Sequence, residues 1–400
     1  MAGVRPVRPL EGLKVIDLSR VLAGPLCGQM LADMGADVVK VESRAGDENR
    51  NWQPFDAAGE SCNFLSVNRG KRGITLNLKS ERGRELLFGL LESADVLLLS
   101  FLPKTLAQFG LHPPDLRRRF QRLVIASISA FGSEGPLSER PGYDALSQAF
   151  CGIMSITGER DRMPVRSGAS FVDLTTGVFA YGGVLTALEA RRVTGQGDVV
   201  RVSLLETAIS LLGYHGVGWL EAGKLPQREG SGIWHLVPYQ AFRCRDGEIL
   251  VGATNDRVWQ NLCLATARSD LAADPDLATN SGRIARRERV VEEFTQIFAS
   301  GSVADWIARL EAHGVPVAPL HTVAQAVDHP QSRANGMVVE LQRGDGSKLR
   351  LLGSAFKLAA AADHATLPPP RLGEHTAEVL SRAFNLDAKE IAALREQGVI

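Results

Sequence analysis

A doubly wound α/β domain built on a parallel sheet, with a smaller α+β domain after it, is the fold this sequence predicts. Two observations carry that expectation. Short apolar runs that read as buried strands alternate with helical spacing through the first half of the chain. Buried strands separated by helices imply parallel pairing through right-handed crossovers. Near Gly223 the texture becomes rich in turn residues, and a new strand-helix pattern begins.

Taken in order, Leu13 to Leu18 (LKVIDL) is a short apolar run, and GPLCGQMLADMGA after it has helical spacing. Asp37 to Glu42 (DVVKVE) is again strand-like. SERGRELLFGLLESA reads as an amphipathic helix with Ser80 as its cap. Asp95 to Phe101 and Arg122 to Phe131 repeat the buried-strand pattern. A long apolar helix spans Leu174 to Arg192, and Val199 to Leu205 is a further strand. In the second half EILVGATN is a strand and VWQNLCLATA a helix, followed by helical RRERVVEEFTQIFAS and VADWIARLEAHG. Strands return between Met337 and Leu358, and two helices close the chain after the stiff linker LPPPRLG.

Composition narrows the function. Lys+Arg and Asp+Glu are both 45, so no net field draws in nucleic acid or an anionic membrane. Five scattered cysteines without CxxC or Cys/His spacing argue against zinc and against a disulfide framework, and favour a reducing, cytoplasmic setting. No apolar leader precedes the first strand and no apolar run reaches membrane-spanning length, so a membrane is not an expected partner. The opening strand-helix-strand invites comparison with a dinucleotide site, with Glu42 as the ribose acid. The glycine fingerprint is missing, because the first turn, SRVLAGP, holds only Gly24. NAD binding is therefore disfavoured, and Glu42 reads as a surface acid at a strand end.

Several segments in register resemble class III (CaiB/BaiF) CoA-transferases. They are PLEGLKVIDLSRVLAGPLCGQMLADMGADVVKVE, FLSVNRGKRGITLNLKSERGRELL, GPLSERPGYDALSQAFCGIMSITG, GASFVDLTTGVFAYGGVLTALEARRVTGQG, VPYQAF and PPPRLGEHTAEVL. The resemblance covers nearly the whole chain and is nearest to enzymes that use succinyl-CoA with small dicarboxylic acids such as glutarate or malate. It implies a Rossmann-like sheet built from both chain ends, with residues 1–222 and 331–400 forming a large domain and residues 223–330 a small one. It also implies an interlocked homodimer, and acyl-CoA and small carboxylic acids as partners. Coenzyme A is then a substrate, and no cofactor or metal is needed.

Asp173 is the only acid between Asp161 and Glu189. On its own residues it reads as a helix N-cap; the resemblance implies that it is the catalytic nucleophile. At a helix N-terminus the dipole is expected to keep it ionised, while Gly177, Gly182 and Gly183 let the helix pack closely.

CoA needs cations for its phosphates and an apolar channel for its pantetheine arm. By resemblance Arg20, Leu22, Ser43, Arg44, Leu76, Lys79, Phe101 and Gln108 stand at CoA-contact positions. Ser100 replaces a frequent Asn and Gln108 a frequent base, for which Lys104 can substitute. Arg69, Lys71 and Arg72 are further cationic candidates; the bland alternative for all of these is ordinary surface charge. Arg117 to Arg119 read as a solvated helix face.

On the acceptor side, the resemblance implies a glycine loop over the intermediate, here Gly230 and Gly232 followed by Ile233, Trp234 and His235. His235 either meets an acceptor carboxylate or satisfies its loop. Arg166 is a candidate partner for a second carboxylate, or a surface residue. Tyr143, in GYD, stands where related racemases carry the His of GHD. With a pKa near 10, tyrosine suits proton abstraction poorly. An α-methylacyl-CoA racemase-like enzyme is the first alternative, and a non-catalytic acyl-CoA-binding protein the second.

Overall fold

The computed structural model of the chain describes residues 8–359 and 367–400. Met1 to Val7, part of the stretch read for a leader, lies outside the described residues. Six strands pair in parallel: β1 Lys14–Asp17, β2 Asp37–Glu42, β3 Lys71–Thr75, β4 Val96–Leu99, β5 Val124–Ser129 and β6 Val199–Ser203. Their order is β3-β2-β1-β4-β5-β6. The chain thus starts mid-sheet and winds outward in both directions, so the order reverses between β1 and β4. A crevice is expected beyond the carboxyl ends of the strands at such a switch point.

Strand alternation sorts the side chains onto two faces. Ile16, Val39, Val41, Leu97, Leu99 and Ile125 pack with Leu86, Leu87 and Leu90 of α2 (Glu81–Leu91), which Ser80 caps as expected. The opposite face, with Val15, Val38, Val96, Leu98 and Val124, meets α1 (Ala23–Asp33) and the long helix Phe171–Thr194. That long helix is long and apolar enough to cross a bilayer, which corrects the expectation that no apolar run reaches that length. Here Ala180, Val184 and Ala187 bury it against the sheet.

Strand β3 is not among the expected strands, and it carries two of the cationic candidates, Lys71 and Arg72. Among the described residues all six strands come from residues 14–203, so the sheet there is not built from both chain ends. The C-terminal segment supplies helices instead: Val379, Leu380, Ile391 and Leu394 enter the core beneath β2 and β3. Among the described residues the return strands pair only with each other, as an antiparallel hairpin of Val338–Gln342 with Lys348–Leu352. The reason is local: Asp345-Gly346, with Gly346 at φ 83°, makes the tight turn that joins antiparallel neighbours.

The chain divides into two units, Met1–Ile153 with Ser167–Ala222 and Gln331–Ile400, and Met154–Arg166 with Gly223–Pro330. Within the second unit Gly158 and Gly230 form a β-bridge, and Arg160 pairs with Glu229 at 2.9 Å. These contacts fasten Met154–Arg166 to the residues after Gly223. A three-stranded antiparallel sheet, β7 Tyr239–Arg243, β8 Glu248–Gly252 and β9 Val317–Pro319, packs on an aromatic core of Trp259, Phe294, Phe298 and Trp306. Fully buried Arg283 donates to the carbonyls of Val237 and Leu277 and to Asp256.

Beneath the β1–α1 turn lies a set of buried charges. Lys71, with no exposed surface, donates to Asp17 at 2.8 Å, Asn68 at 2.8 Å and the Pro25 carbonyl at 2.7 Å. Lys40, equally buried, donates to the Ser19 carbonyl at 2.9 Å and to Asp47 at 3.1 Å. Burial alone would raise the Asp17 pKa, but the charges of Lys71 and Lys40 outweigh it and hold the carboxyl below the usual range. Removing one partner strands the other charge, so Lys71→Met should cost about 3–5 kcal/mol in urea unfolding. Adding Asp17→Asn should recover part of that loss; a cost within about 1 kcal/mol for the single change would show that the pair carries no weight.

Candidate active site

The β1–α1 turn, Ser19 to Leu22, shapes the crevice at the switch point. Gly24 permits the tight fold, since a Cβ there would lie 2.2 Å from the Ser19 Cβ. Val21 has φ 68°, a left-handed conformation that a β-branched residue adopts only under constraint, at a cost of about 1–3 kcal/mol. Both of its backbone groups are held. Its N–H donates to the Asp47 carboxylate, 3.2 Å from each oxygen, and its carbonyl accepts from Asn49 Nδ2 at 2.7 Å. Arg20 N–H donates to Ser100 Oγ at 2.8 Å, tying the turn to the end of β4.

Two clefts open on this turn. The larger, about 480 Å³, is lined by Ser43, Arg44 and Lys79, with Leu76 and Phe101 as apolar wall and Arg20 at one side. Among the described residues Arg20, Arg44 and Lys79 form no ion pair, and all three are exposed. The other cationic candidates are committed elsewhere. Arg69 is buried against Asp33, Lys71 lies within the charge cluster, and Arg72 pairs with Asp37 and Glu378. Their expected place among the ligand cations is thereby corrected: on β3 and the turn before it they meet carboxylates of the fold itself. Glu42 is likewise not a surface acid but a buried partner of Arg50, bound through both oxygens at 2.7 Å. Lys104 and Gln108 are exposed on α3 (Pro103–Phe109) and line neither cleft, whereas Thr105 and Phe109 of that helix do line the larger one.

The smaller cleft, about 160 Å³, holds Asp173, Tyr143, Leu22, Phe101, Glu48 and Arg20 among its walls. Asp173 sits on α5 (the long helix Phe171–Thr194), whose N-cap position is Ser170, so Asp173 does not cap the helix. The capping side chain is Asp144, the first residue of α4 (Asp144–Phe150). Its Oδ2 accepts from the amides of Val172 at 2.9 Å and Asp173 at 3.2 Å, and its other oxygen accepts from Gln148. Gln148 in turn accepts from Ser167 N–H at 2.9 Å. Asp144 was not among the expected site residues, and the one signal for it in the sequence is its place directly after Tyr143 in GYD.

This arrangement also corrects the expectation that the helix end keeps Asp173 ionised. Asp173 is 8% exposed; burial, with the Asp144 charge adding to it, pushes its pKa up to about 7. Two of the helix amides that would have favoured the charge already face Asp144. One turn on, Gly177 lets the helix touch α1, since a Cβ would lie 2.5 Å from the Ala23 carbonyl. Gly183 does the same against Val200, while Gly182 faces open space. Tyr143 donates to Glu48 at 3.4 Å.

Arg166, Gly230, Gly232 and His235 belong to the second unit. The amides of Gly230 and Gly232 are engaged locally, with the carbonyls of Gly158 at 3.0 Å and Glu229 at 2.8 Å. Arg287 donates to the carbonyls of Ile233 and Trp234, and Asn280 to that of His235, so this loop is tied down along its backbone. Arg166 is exposed at the end of its segment. Among the described residues no His, Cys, Asp or Glu group is arranged to hold a metal.

Comparison with known proteins places this site in a family. The profile of CoA-transferase family III matches residues 10–376. An acyl-CoA transferase of Fusarium pseudograminearum is 39% identical over 98% of this chain and 88% of its own length. Human succinyl-CoA:glutarate CoA-transferase is 34% identical over 98% of this chain and 90% of its own length. The crystal structure of a CaiB/BaiF family protein from Brucella suis superposes with a TM-score of 0.85, at 35% identity, over 95% of this chain and all of that one. With the profile spanning most of its length and relatives aligned nearly end to end, this chain belongs to CoA-transferase family III, the CaiB/BaiF group, and is a CoA-transferase.

Proposed function

We propose that the enzyme moves CoA from a succinyl-CoA-like donor to a small dicarboxylic acid through covalent intermediates on Asp173. One observation carries this reading. A nearly buried carboxylate, poised near neutrality, lines a small cleft that shares its rim with a larger one edged by unpaired cations. The human relative, whose name specifies succinyl-CoA and glutarate, supports the choice of acids.

In the larger cleft Arg44 and Lys79 take the CoA phosphates, and Leu76 and Phe101 flank the pantetheine arm. The Asp173 carboxylate attacks the donor thioester carbonyl. The C–S bond breaks, leaving an aspartyl-acyl anhydride and CoA thiolate. The thiolate attacks the aspartyl carbonyl and expels the donor carboxylate, so that CoA is now joined to Asp173 as a thioester. The acceptor carboxylate attacks this thioester and releases thiolate again. Thiolate then attacks the acceptor's acyl carbon, giving the new acyl-CoA and free Asp173. Bonds of similar energy are exchanged at each step, and the anhydride and thioester need a site that keeps water out.

A homodimer, with interlocked chains, and a cytoplasmic setting belong to the same proposal. Helix α6 (Tyr214–Ala222) buries none of its residues and leaves Val217, Trp219 and Leu220 in solvent, an apolar surface suited to a second chain. Light scattering should return twice the chain mass; a monomer at working concentrations would remove the dimer.

Brief incubation with succinyl-CoA should leave a CoA-sized adduct on the Asp173 peptide, and Asp173→Ala should fold but neither form the adduct nor turn over. An adduct on another residue, or substantial turnover by the variant, sinks the nucleophile.

Because the attacking form is the carboxylate, kcat/KM for the donor should rise with pH through about 7 and then level off. Asp144→Asn keeps an oxygen for the helix amides but removes the like charge, so the rise should move to lower pH; an unmoved profile would separate Asp144 from the nucleophile. Stability runs in the other direction. Between the ordinary 3.8 and about 7 the folded chain holds a proton that the unfolded chain has lost, so stability falls as pH rises across this window. Asp173→Asn should therefore melt above the parent at about pH 8 and level with it at about pH 4.

A further inference from the structure

Arg20 differs from the other unpaired cations of the site in where it lies. Arg44 and Lys79 line only the larger cleft, whereas Arg20 lines both and is the sole cation among the residues lining the Asp173 cleft. The pantetheine arm separates the phosphates of CoA from its thioester. A cation on the wall of the nucleophile's cleft therefore stands toward the acyl end of the ligand and away from its phosphate end. The other charged walls of that cleft are Asp173 and Glu48, both acids. A donor that brings a free carboxylate into this space meets two acids, and Arg20 is the one cation lining the cleft that can offset them. The Arg20 guanidinium lies 5.4 Å from the Phe101 ring centroid, and no acid among the described residues pairs with it.

The turn fixes where that guanidinium is presented. Arg20 precedes Val21, whose left-handed backbone is gripped by Asp47 and Asn49. Asp47 also receives Lys40 from below, and its own N–H donates to Glu42 at 2.8 Å. Without the grip on both Val21 backbone groups, the chain is free to relax to negative φ and swing Arg20 away.

We propose that Arg20 binds the free carboxylate of a dicarboxylic acyl group, and that Asp47 and Asn49 are positioning residues that hold Arg20 there through Val21. The proposal rests on the reading of the enzyme as one that handles dicarboxylic acyl groups, but its test needs only binding. In an Asp173→Asn background, which blocks turnover, calorimetry measures Kd for succinyl-CoA and for butyryl-CoA, which has the same carbon chain without the second carboxylate. Arg20→Met should weaken succinyl-CoA about tenfold or more and butyryl-CoA less than about twofold. Equal weakening of both would assign Arg20 to the CoA moiety and overturn the proposal. So would loss of selectivity in Arg166→Ala but not in Arg20→Met, or a parent that does not prefer succinyl-CoA.

Asn49→Ala should lower the same selectivity ratio, and adding Val21→Gly, which accepts positive φ without strain, should restore it. A lower melting temperature with an unchanged ratio would reduce Asn49 to a structural residue and overturn the positioning part. A missing Asp173 adduct in the parent would count against the covalent mechanism alone, since the binding ratio does not depend on it.

Discussion

The turn that shapes both clefts hangs on the buried charge cluster beneath it. Lys71, Asp17, Lys40 and Asp47 have little or no contact with solvent, and each is satisfied by partners from different parts of the chain. Such a cluster is costly to bury and stable only when complete. It joins β1, β2, β3 and the loop after β2 at one point, and from there it reaches up to the carbonyl of Ser19 and the amide of Val21. The turn that rims both clefts is therefore an extension of the core, and a strained Val21 is tolerated because the cluster over-determines it.

The nucleophile is held by a second, smaller arrangement of the same kind. Asp144 does what the N-cap residue of α5 leaves undone, and so brings a second carboxylate beside Asp173. Capping and pKa tuning are one act here, because the side chain that satisfies the helix amides is also the like charge that raises the Asp173 pKa. Gly177 adds the mechanical link, letting α5 lie against the Ala23 carbonyl at the start of α1. Turn and nucleophile are thus fixed to each other through backbone contact as well as through the sheet.

The cations sort by the same logic. A guanidinium or ammonium that meets a carboxylate of the fold is lost to ligand binding, as Arg69, Lys71 and Arg72 show. Those left without one, Arg20, Arg44 and Lys79, stand at the carboxyl ends of strands around the switch point, where an α/β sheet presents its ligands.

What the sequence determined by itself follows from local pattern. Apolar runs and helical spacing marked five of the six sheet strands, the Ser80 cap and the long helix to within a few residues, because a strand covered on both faces reads as an unbroken apolar run and a helix imposes its own period. The motif around Asp173, and the family with it, was legible for the same reason: it is contiguous. The tertiary structure alone decided matters that depend on partners distant in the chain. It turned Lys71 and Arg69 from ligand candidates into interior ion pairs, closed the late strands into a hairpin outside the sheet, and set Asp144 against a helix that begins some thirty residues later. It also made Asp173 a reluctant anion, because burial and a neighbouring charge are properties of a site in space and leave no mark in the residues on either side of it.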